Sequence, residues 1–321
     1  MLYLHHSNSL NRLTSILLQQ LLSHDSDVLA LEQILVQNPG MKRWLQQQIS
    51  RVSGIAANLS FPLPSRFIWD VFLSQFDDLQ DLSAYDGEVL RWQIMGLLGK
   101  HRDAEPLQIL QAYMQQDESG LARFQLAEKM AGLYDQYLVY RPDMIGNWEQ
   151  GKTGNSASEA WQAYLWKLIR QQIPQPHRAE LIQRLIRHIG ADKADFSKLP
   201  KRLYVFAISA MSPLYMQVLA ALGQHIEVHI FNLNPCEHYW GDIQSKKEQL
   251  RHAVLEAGEN ELLASLGKQG RDFIDQFYDS SFEYQDNPQF ESIQADSLLH
   301  RLQQDVLQLS IDTQDVESKD D

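Results

Sequence analysis

Apolar residues recur along the chain in two rhythms. Leu10, Leu13, Leu17, Leu18 and Leu21 fall three or four apart, the spacing of one helix face. On either side lie short apolar runs, "LYLHH" and "VLALEQILVQ", which read as strands, the second buried on both faces. "NPGMKRWLQQQIS" comes next. Asn38 suits a helix cap and Pro39 the first helical position, with Met41, Trp44, Leu45 and Ile49 as the buried face. Strand, helix, strand, helix predicts a parallel α/β layer over residues 1–67.

The rhythm then changes. Across residues 68–200 the apolar positions keep helical periods throughout. "GEVLRWQIMGLLGK", "LARFQLAEKMAGLYDQYLVY", "SEAWQAYLWKLIRQQI" and "RAELIQRLIRHI" all predict amphipathic helices, and no strand is expected. The α/β pattern returns over 201–310. "RLYVFAIS" and "HIEVHIFNLNP" read as strands, with the helix "SPLYMQVLAALG" between them, Ser212 at its cap. "ENELLASLGKQGRDFIDQFY" and "DSLLHRLQQDVLQL" read as one helix each. His225 and His229 fall opposite Ile226 and Val228, on a face expected to be polar or half-buried. Residues 311–321 form an acidic tail without periodicity, expected to be disordered or a linker. The predicted fold is an α/β domain with a parallel sheet, interrupted by a large all-helical insertion.

Length and charge narrow the function. The 321 residues suffice for one large domain or two ordinary ones. No apolar run approaches a membrane span, and "MLYLHHSNSL" lacks the leader of a secretory signal. Cys236 is the single cysteine, which excludes a disulfide framework and fits a reducing cytoplasm. The net charge of -13 argues against nonspecific coating of DNA, but not against a narrow channel with a few placed arginines.

"GNWEQGKT" at 146–153 is a literal match to the phosphate-cradling loop of nucleotide hydrolases. That loop needs a buried strand before it and a helix starting at its Lys-Thr. Here "YLVYRPDMI" precedes it, in the helical zone, and Glu149 would set a carboxylate against a polyanion. The segment reads as an exposed Gly-rich linker. Cys236, His238 and Asp242 are too few for a metal site and read as a structured turn. Asp77, Asp78 and Asp81 read as a solvated turn. No catalytic or metal-binding residue is assigned.

Two stretches carry more. In "LYDQYLVYRPD", Tyr134, Tyr137, Tyr140 and Arg141 recur at helical spacing. Interleaved aromatics and Arg can stack bases and hold a backbone, while helix packing is the simpler use of the tyrosines. In "ILVQNPGMKRWL", Gln37 ends a strand and Arg43 opens the next helix. Ligands bind at that edge of open α/β sheets, and Arg grips phosphate or guanine; an ordinary strand–helix turn reads equally well.

The blocks "LHHSNSL", "ILVQNPGMKRWLQQQIS", "GIAANLSFPLPSRFIWDVF", "YDQYLVYRPD", "AWQAYLW", "ISAMSPLYMQVLAALGQHIEVHIFNLNPCEHYWGDI" and "LLASLGKQGRDFI" together resemble the N-terminal part of the RecC family, the gamma subunit of bacterial exodeoxyribonuclease V, the RecBCD complex. The resemblance implies a superfamily-one helicase fold without its ATP site. It also implies a non-ATPase subunit that channels single-stranded DNA, scans it for Chi, and serves double-strand-break repair by recombination. Implied partners are RecB-like and RecD-like subunits, single-stranded DNA and duplex ends, with no membrane. ATP and magnesium would be used by the partner subunits and no cofactor by this chain. Family chains are much longer, so this one would be an N-terminal fragment. Carried over by position, the DNA-binding residues are Gln37, Leu63, Trp69, Leu133, Asp135, Gln136, Arg141 and Arg178, with Arg43 beside them. Pro39, Arg43 and Gly132 depart from the family's Thr, Gln and Asp. An acid lost and a base gained change the hydrogen-bond pattern offered to bases. Two rival readings stand beside this one: an ATP-dependent helicase using 146–153, and a helical scaffold that binds only proteins.

Overall fold

The computed structural model describes residues 1–22, 30–114, 119–154, 156–243, 260–278 and 283–310. The chain divides into two compact units: Met1–Trp69 with Phe196–Met211 and Tyr215–Asp321, and Asp70–Asp195 with Ser212–Leu214. The acidic tail lies outside the described residues, as does the start of the run read as the second strand.

The first unit is built on six parallel strands: β1 (Leu2–Ser7), β2 (Glu32–Leu35), β3 (Leu59–Ser60), β4 (Arg202–Phe206), β5 (Glu227–Leu233) and β6 (Tyr284–Pro288). Their order is β3-β2-β4-β5-β1-β6. Three helices follow the early strands: α1 (Leu10–Leu22), α2 (Pro39–Ser53) and α3 (Pro64–Gln75). The leucine stripe of α1 meets the sheet as its period requires. Leu13 and Leu17 pack with Ile34, Leu45, Tyr204, Phe206 and Phe231 in one buried cluster. Of the expected buried face of α2, Leu45 and Ile49 are buried, while Met41 and Trp44 are half-buried at its margin.

The second unit is helical: α4 (Gly87–Lys100), α5 (Gln108–Met114), α6 (Leu121–Tyr140), α7 (Pro142–Glu149), α8 (Ala157–Gln172) and α9 (Arg178–Gly190). Trp166 and Tyr134 are among its fully buried side chains. Asp78 is not simply solvated. It takes two hydrogen bonds from Arg184, at 2.9 and 3.0 Å, and that guanidinium lies 4.0 Å above the Phe76 ring.

The chain returns to the first unit with α10 (Pro213–Gly223), α11 (Glu261–Leu266), α12 (Lys268–Tyr278) and α13 (Leu298–Leu307). The segment read as one helix from "ENELLASLGKQGRDFIDQFY" is broken into α11 and α12 at Gly267. A Cβ there would sit 2.4 Å from the Leu263 carbonyl oxygen and 2.8 Å from the Trp240 ring, so only glycine fits the turn. β6 was not anticipated. Its "YQDNP" is polar because it is the sheet edge, and edge strands lack the apolar signature of central ones.

His229 also departs from expectation. It is 4% exposed, within a ladder that crosses the sheet. In one row Tyr204, His229, Tyr3 and Gln285 are successive neighbours; in the next, Phe206, Phe231, His5 and Asn287. The rings stack: Tyr3 on His229 at 4.6 Å and His5 on Phe231 at 4.8 Å between centroids. A histidine ring packs as an aromatic while keeping a polar atom for its neighbour, and His5 Nε2 lies 3.1 Å from His229 Nδ1. His225 precedes β5, is exposed, and stacks on Phe196. Among the described residues no helix is long and apolar enough to cross a membrane.

Candidate nucleic-acid interface

In the α/β unit, the expected site residues gather at the carboxyl ends of β2 and β3. The Val36 N–H donates to the Pro62 carbonyl at 3.2 Å, tying the two strand exits together. Gln37 is exposed just beyond this tie. The Asn38 side chain caps α2 by accepting the Met41 N–H at 3.0 Å, and Pro39 takes the first turn. That cap fixes the helix phase, which turns Leu45 and Ile49 inward and Lys42 and Arg43 to solvent. The first turn of α2 carries no acidic residue. The positive end of the helix dipole and the Arg43 guanidinium therefore add at the edge where open parallel sheets take ligands. The side chains of Gln37 and Arg43 form no hydrogen bond or ion pair among the described residues. Leu63 is 44% exposed, directly before Pro64 opens α3. Trp69 is half-buried on α3 and has a partner of its own, so it is a partly committed side chain.

In the helical unit, the remaining residues lie on or beside α6. Its core face is Ala127, Met130, Ala131, Tyr134 and Leu138. Leu133 and Asp135 are half-buried on the shoulders, and Gln136 is exposed. Arg141 leaves helical geometry at φ -137, between α6 and α7, because Pro142 starts the next helix. It is exposed and makes no side-chain ion pair among the described residues. Asp135 and Arg178 are brought together. Arg178, in the first turn of α9, donates to the Asp135 carboxylate at 3.0 Å. The tyrosines divide between both readings of their stretch. Tyr134 is buried with its hydroxyl on the Gln162 carbonyl, Tyr137 bonds the Gln162 side chain, and Tyr140 is 62% exposed.

The nucleotide-loop match falls elsewhere. Residues 142–149 are α7, not a linker, and Gly151 turns the chain at φ 76. The Lys152 ammonium bonds Gln150, and Trp148 is buried with its indole N–H on Glu159. The Gly-Lys pair thus follows the carbonyl end of a helix, where the dipole repels phosphate.

Glu149 belongs to a network that pattern reading missed. Arg170 donates to Glu149 at 3.0 Å, Glu180 at 2.9 Å and the Tyr85 hydroxyl at 2.6 Å. His177 caps α9: its Nδ1 accepts the Glu180 N–H, which leaves Nε2 to donate to Glu149 at 3.2 Å. Burial would raise the Glu149 carboxyl, but the hydrogen bond from His177, with the Arg170 charge and the Trp166 indole N–H, holds it below the usual carboxylate range. Glu149, His177 and Glu180 have ligand atoms within 4.8 Å of one another, the spacing of a metal set. The guanidinium already supplies the cation and both imidazole nitrogens are used. The cluster is a structural ion-pair network. The only hint in the sequence was Glu at the third position after His177, the spacing of a capping box.

The family model described as "RecC, N-terminal domain" matches residues 2–309. The chain is similar to the RecBCD enzyme subunit RecC of Escherichia coli (strain K12), at 38% identity over 96% of this chain and 31% of that protein. The same subunit from Haemophilus influenzae is 29% identical over 86% of this chain and 30% of its own length. The Mycolicibacterium smegmatis subunit is 25% identical over 77% and 22%. The chain spans less than a third of the length of these relatives.

Proposed function

The chain belongs to the RecC family, and on that premise we propose that it is the DNA-handling N-terminal part of a RecBCD-type subunit, which guides single-stranded DNA and scans it for Chi without hydrolysing ATP. RecB-like and RecD-like subunits would be its partners, and a helicase-like fold stripped of its motor chemistry its scaffold. One observation carries the reading. Gln37 and Arg43 stand exposed and uncommitted at the carboxyl edge of a parallel sheet, beside Leu63 and the acid-free first turn of α2. An amide can donate and accept at a base edge, and a guanidinium donates twice to guanine or to phosphate. Leu133, Gln136 and Arg141 offer the same mixture of apolar, amide and guanidinium chemistry along α6, while Asp135 and Arg178 hold each other.

The test is Arg43→Gln in a reconstituted complex. The substitution removes a bidentate donor and supplies a group that also accepts. Cut patterns on DNA carrying variant signals should shift, with unwinding of signal-free DNA unaltered. Identical patterns would remove Arg43 from the reading surface.

A further inference from the structure

Of the three tyrosines along α6, two are spent inside the helical unit. Tyr134 is buried, and Tyr137 bonds the Gln162 side chain. Tyr140 is 62% exposed and makes no hydrogen bond or ring contact among the described residues. We propose that the Tyr140 ring is a stacking platform for a base of single-stranded DNA, and that Lys129, about three turns earlier on the same ridge, takes a phosphodiester of that strand. This use of α6 rests on the single-strand reading above and adds two side chains to it.

The phase of α6 sets the ridge. Its core face, Ala127, Met130, Ala131, Tyr134 and Leu138, is turned inward. That leaves Lys129, Gly132, Gln136 and Tyr140 exposed at steps of three and four. From Lys129 to Tyr140 the ridge runs about 16 Å. Arg141 continues it past the helix end, also exposed. The whole chain carries a net charge of -13, yet the acids flanking this ridge are already spent. Glu128 receives Arg91 at 3.4 Å, and Asp135 receives Arg178 at 3.0 Å. Lys129 and Arg141 make no ion pair among the described residues. A cation therefore stands at each end of the ridge, with an amide and an aromatic face between them. Cations beside a ring suit a single strand, whose charge lies on its backbone and whose bases offer flat faces. The apolar face of a protein partner would instead desolvate both cations and the Gln136 amide without giving them acceptors.

Trp92 gives the contrast within the same unit. It is 56% exposed on α4, but its ring lies 5.3 Å from Phe124 and the Arg91 guanidinium stands 5.6 Å from its centroid. Exposure alone thus does not make a platform. Trp92 is engaged by its neighbours, and Tyr140 is not.

The experiment uses the reconstituted complex engaged on DNA whose single strand carries 2-aminopurine at one position at a time. Stacking on a ring quenches the fluorescence of that base. At one position or two adjacent ones, Tyr140→Ala should abolish a quench seen with the unaltered complex and weaken strand binding about tenfold. Tyr140→Phe keeps the ring and should retain both. Lys129→Gln should weaken binding alike on every sequence and lower the slope of log affinity against log salt by about 0.7. Trp92→Ala serves as the control and should change neither readout. A quench that survives Tyr140→Ala at every position, or is lost equally in Tyr140→Phe or Trp92→Ala, would overturn the stacking. A salt slope unaltered in Lys129→Gln would overturn the phosphate contact. Gln37 and Arg43 are untouched in every arm, so their signal-dependent cut pattern persists if this proposal fails, whereas failure of the single-strand reading would remove that pattern as well.

Discussion

The two units bury polarity differently in their largest polar clusters, although the sheet also holds a buried ion pair, Arg202 with Glu32. The α/β unit keeps the His5 imidazole inside its sheet as an uncharged ring: burial, with the neighbouring His6, pushes it down to about 4. The helical unit keeps full charges and surrounds them with partners, as Arg170 is held by Glu149, Glu180 and Tyr85. A sheet interior offers flat neighbours on both sides, so a ring that sheds its proton can stack there. Packed helix ends offer caps, indole N–H groups and side chains of either sign, so a charge can be satisfied where it stands. At the candidate site Gln37 and Arg43 at the sheet edge, and Gln136 and Arg141 along α6, are uncommitted, whereas Asp135 is engaged by Arg178.

The largest expected effects come from the two cores. Phe231→Ala in the α/β unit and Trp166→Ala in the helical unit should each cost about 3–5 kcal/mol, since both side chains are fully buried. Hydrogen exchange should lose protection mainly in the unit that carries the substitution. Uniform loss across both units would instead show a single cooperative body.

Next comes pH. The ordinary value for His5 is 6.5 and its folded value about 4. Below pH 6.5 the unfolded chain takes up a proton that the folded chain refuses. Stability of the α/β unit should therefore fall as pH drops from about 6.5 toward 4, by on the order of 3 kcal/mol from this group. Urea unfolding across that range checks it, and His5→Phe should flatten the dependence. A slope unchanged in that variant would mean that His5 is not the group being titrated.

Smaller, and opposite in kind, is Glu149. Its folded value is lowered, so its contribution is present above the unfolded carboxylate value of 4.5 and is lost as pH falls through the folded one. Glu149→Gln should cost about 1 kcal/mol at neutral pH, after screening at a partly exposed site. The gap from the unaltered chain should close in acid. A gap that stays constant down to low pH would show that shape, not charge, holds the cluster.

Periodicity made the helices and the central strands legible, because one-sided burial dictates where apolar side chains recur. It failed where a neighbour decides. β6 is polar, since its outer edge faces no strand. Gly267 breaks a helical pattern because Trp240, far in sequence, crowds it. His229 looked like a polar-face residue because its aromatic neighbours come from other strands. At the candidate site, Gln37 and Arg43 could be placed at a strand exit from the order of elements alone. The Asp135–Arg178 pair could not, since 43 residues separate its members. Nor could the network about Arg170, whose partners come from Tyr85, α7 and α9.

On the proposed function, both units present side chains to the same kind of ligand, a passing single strand. Photo-crosslinking residues placed at Gln37 and Gln136, in a reconstituted complex engaged on DNA, test it directly. Leu266, 81% exposed on α11, serves as the control position. Crosslinks to the single strand are expected from both glutamine positions and none from position 266. Silence at 37 and 136, or equal labelling from 266, would contradict it.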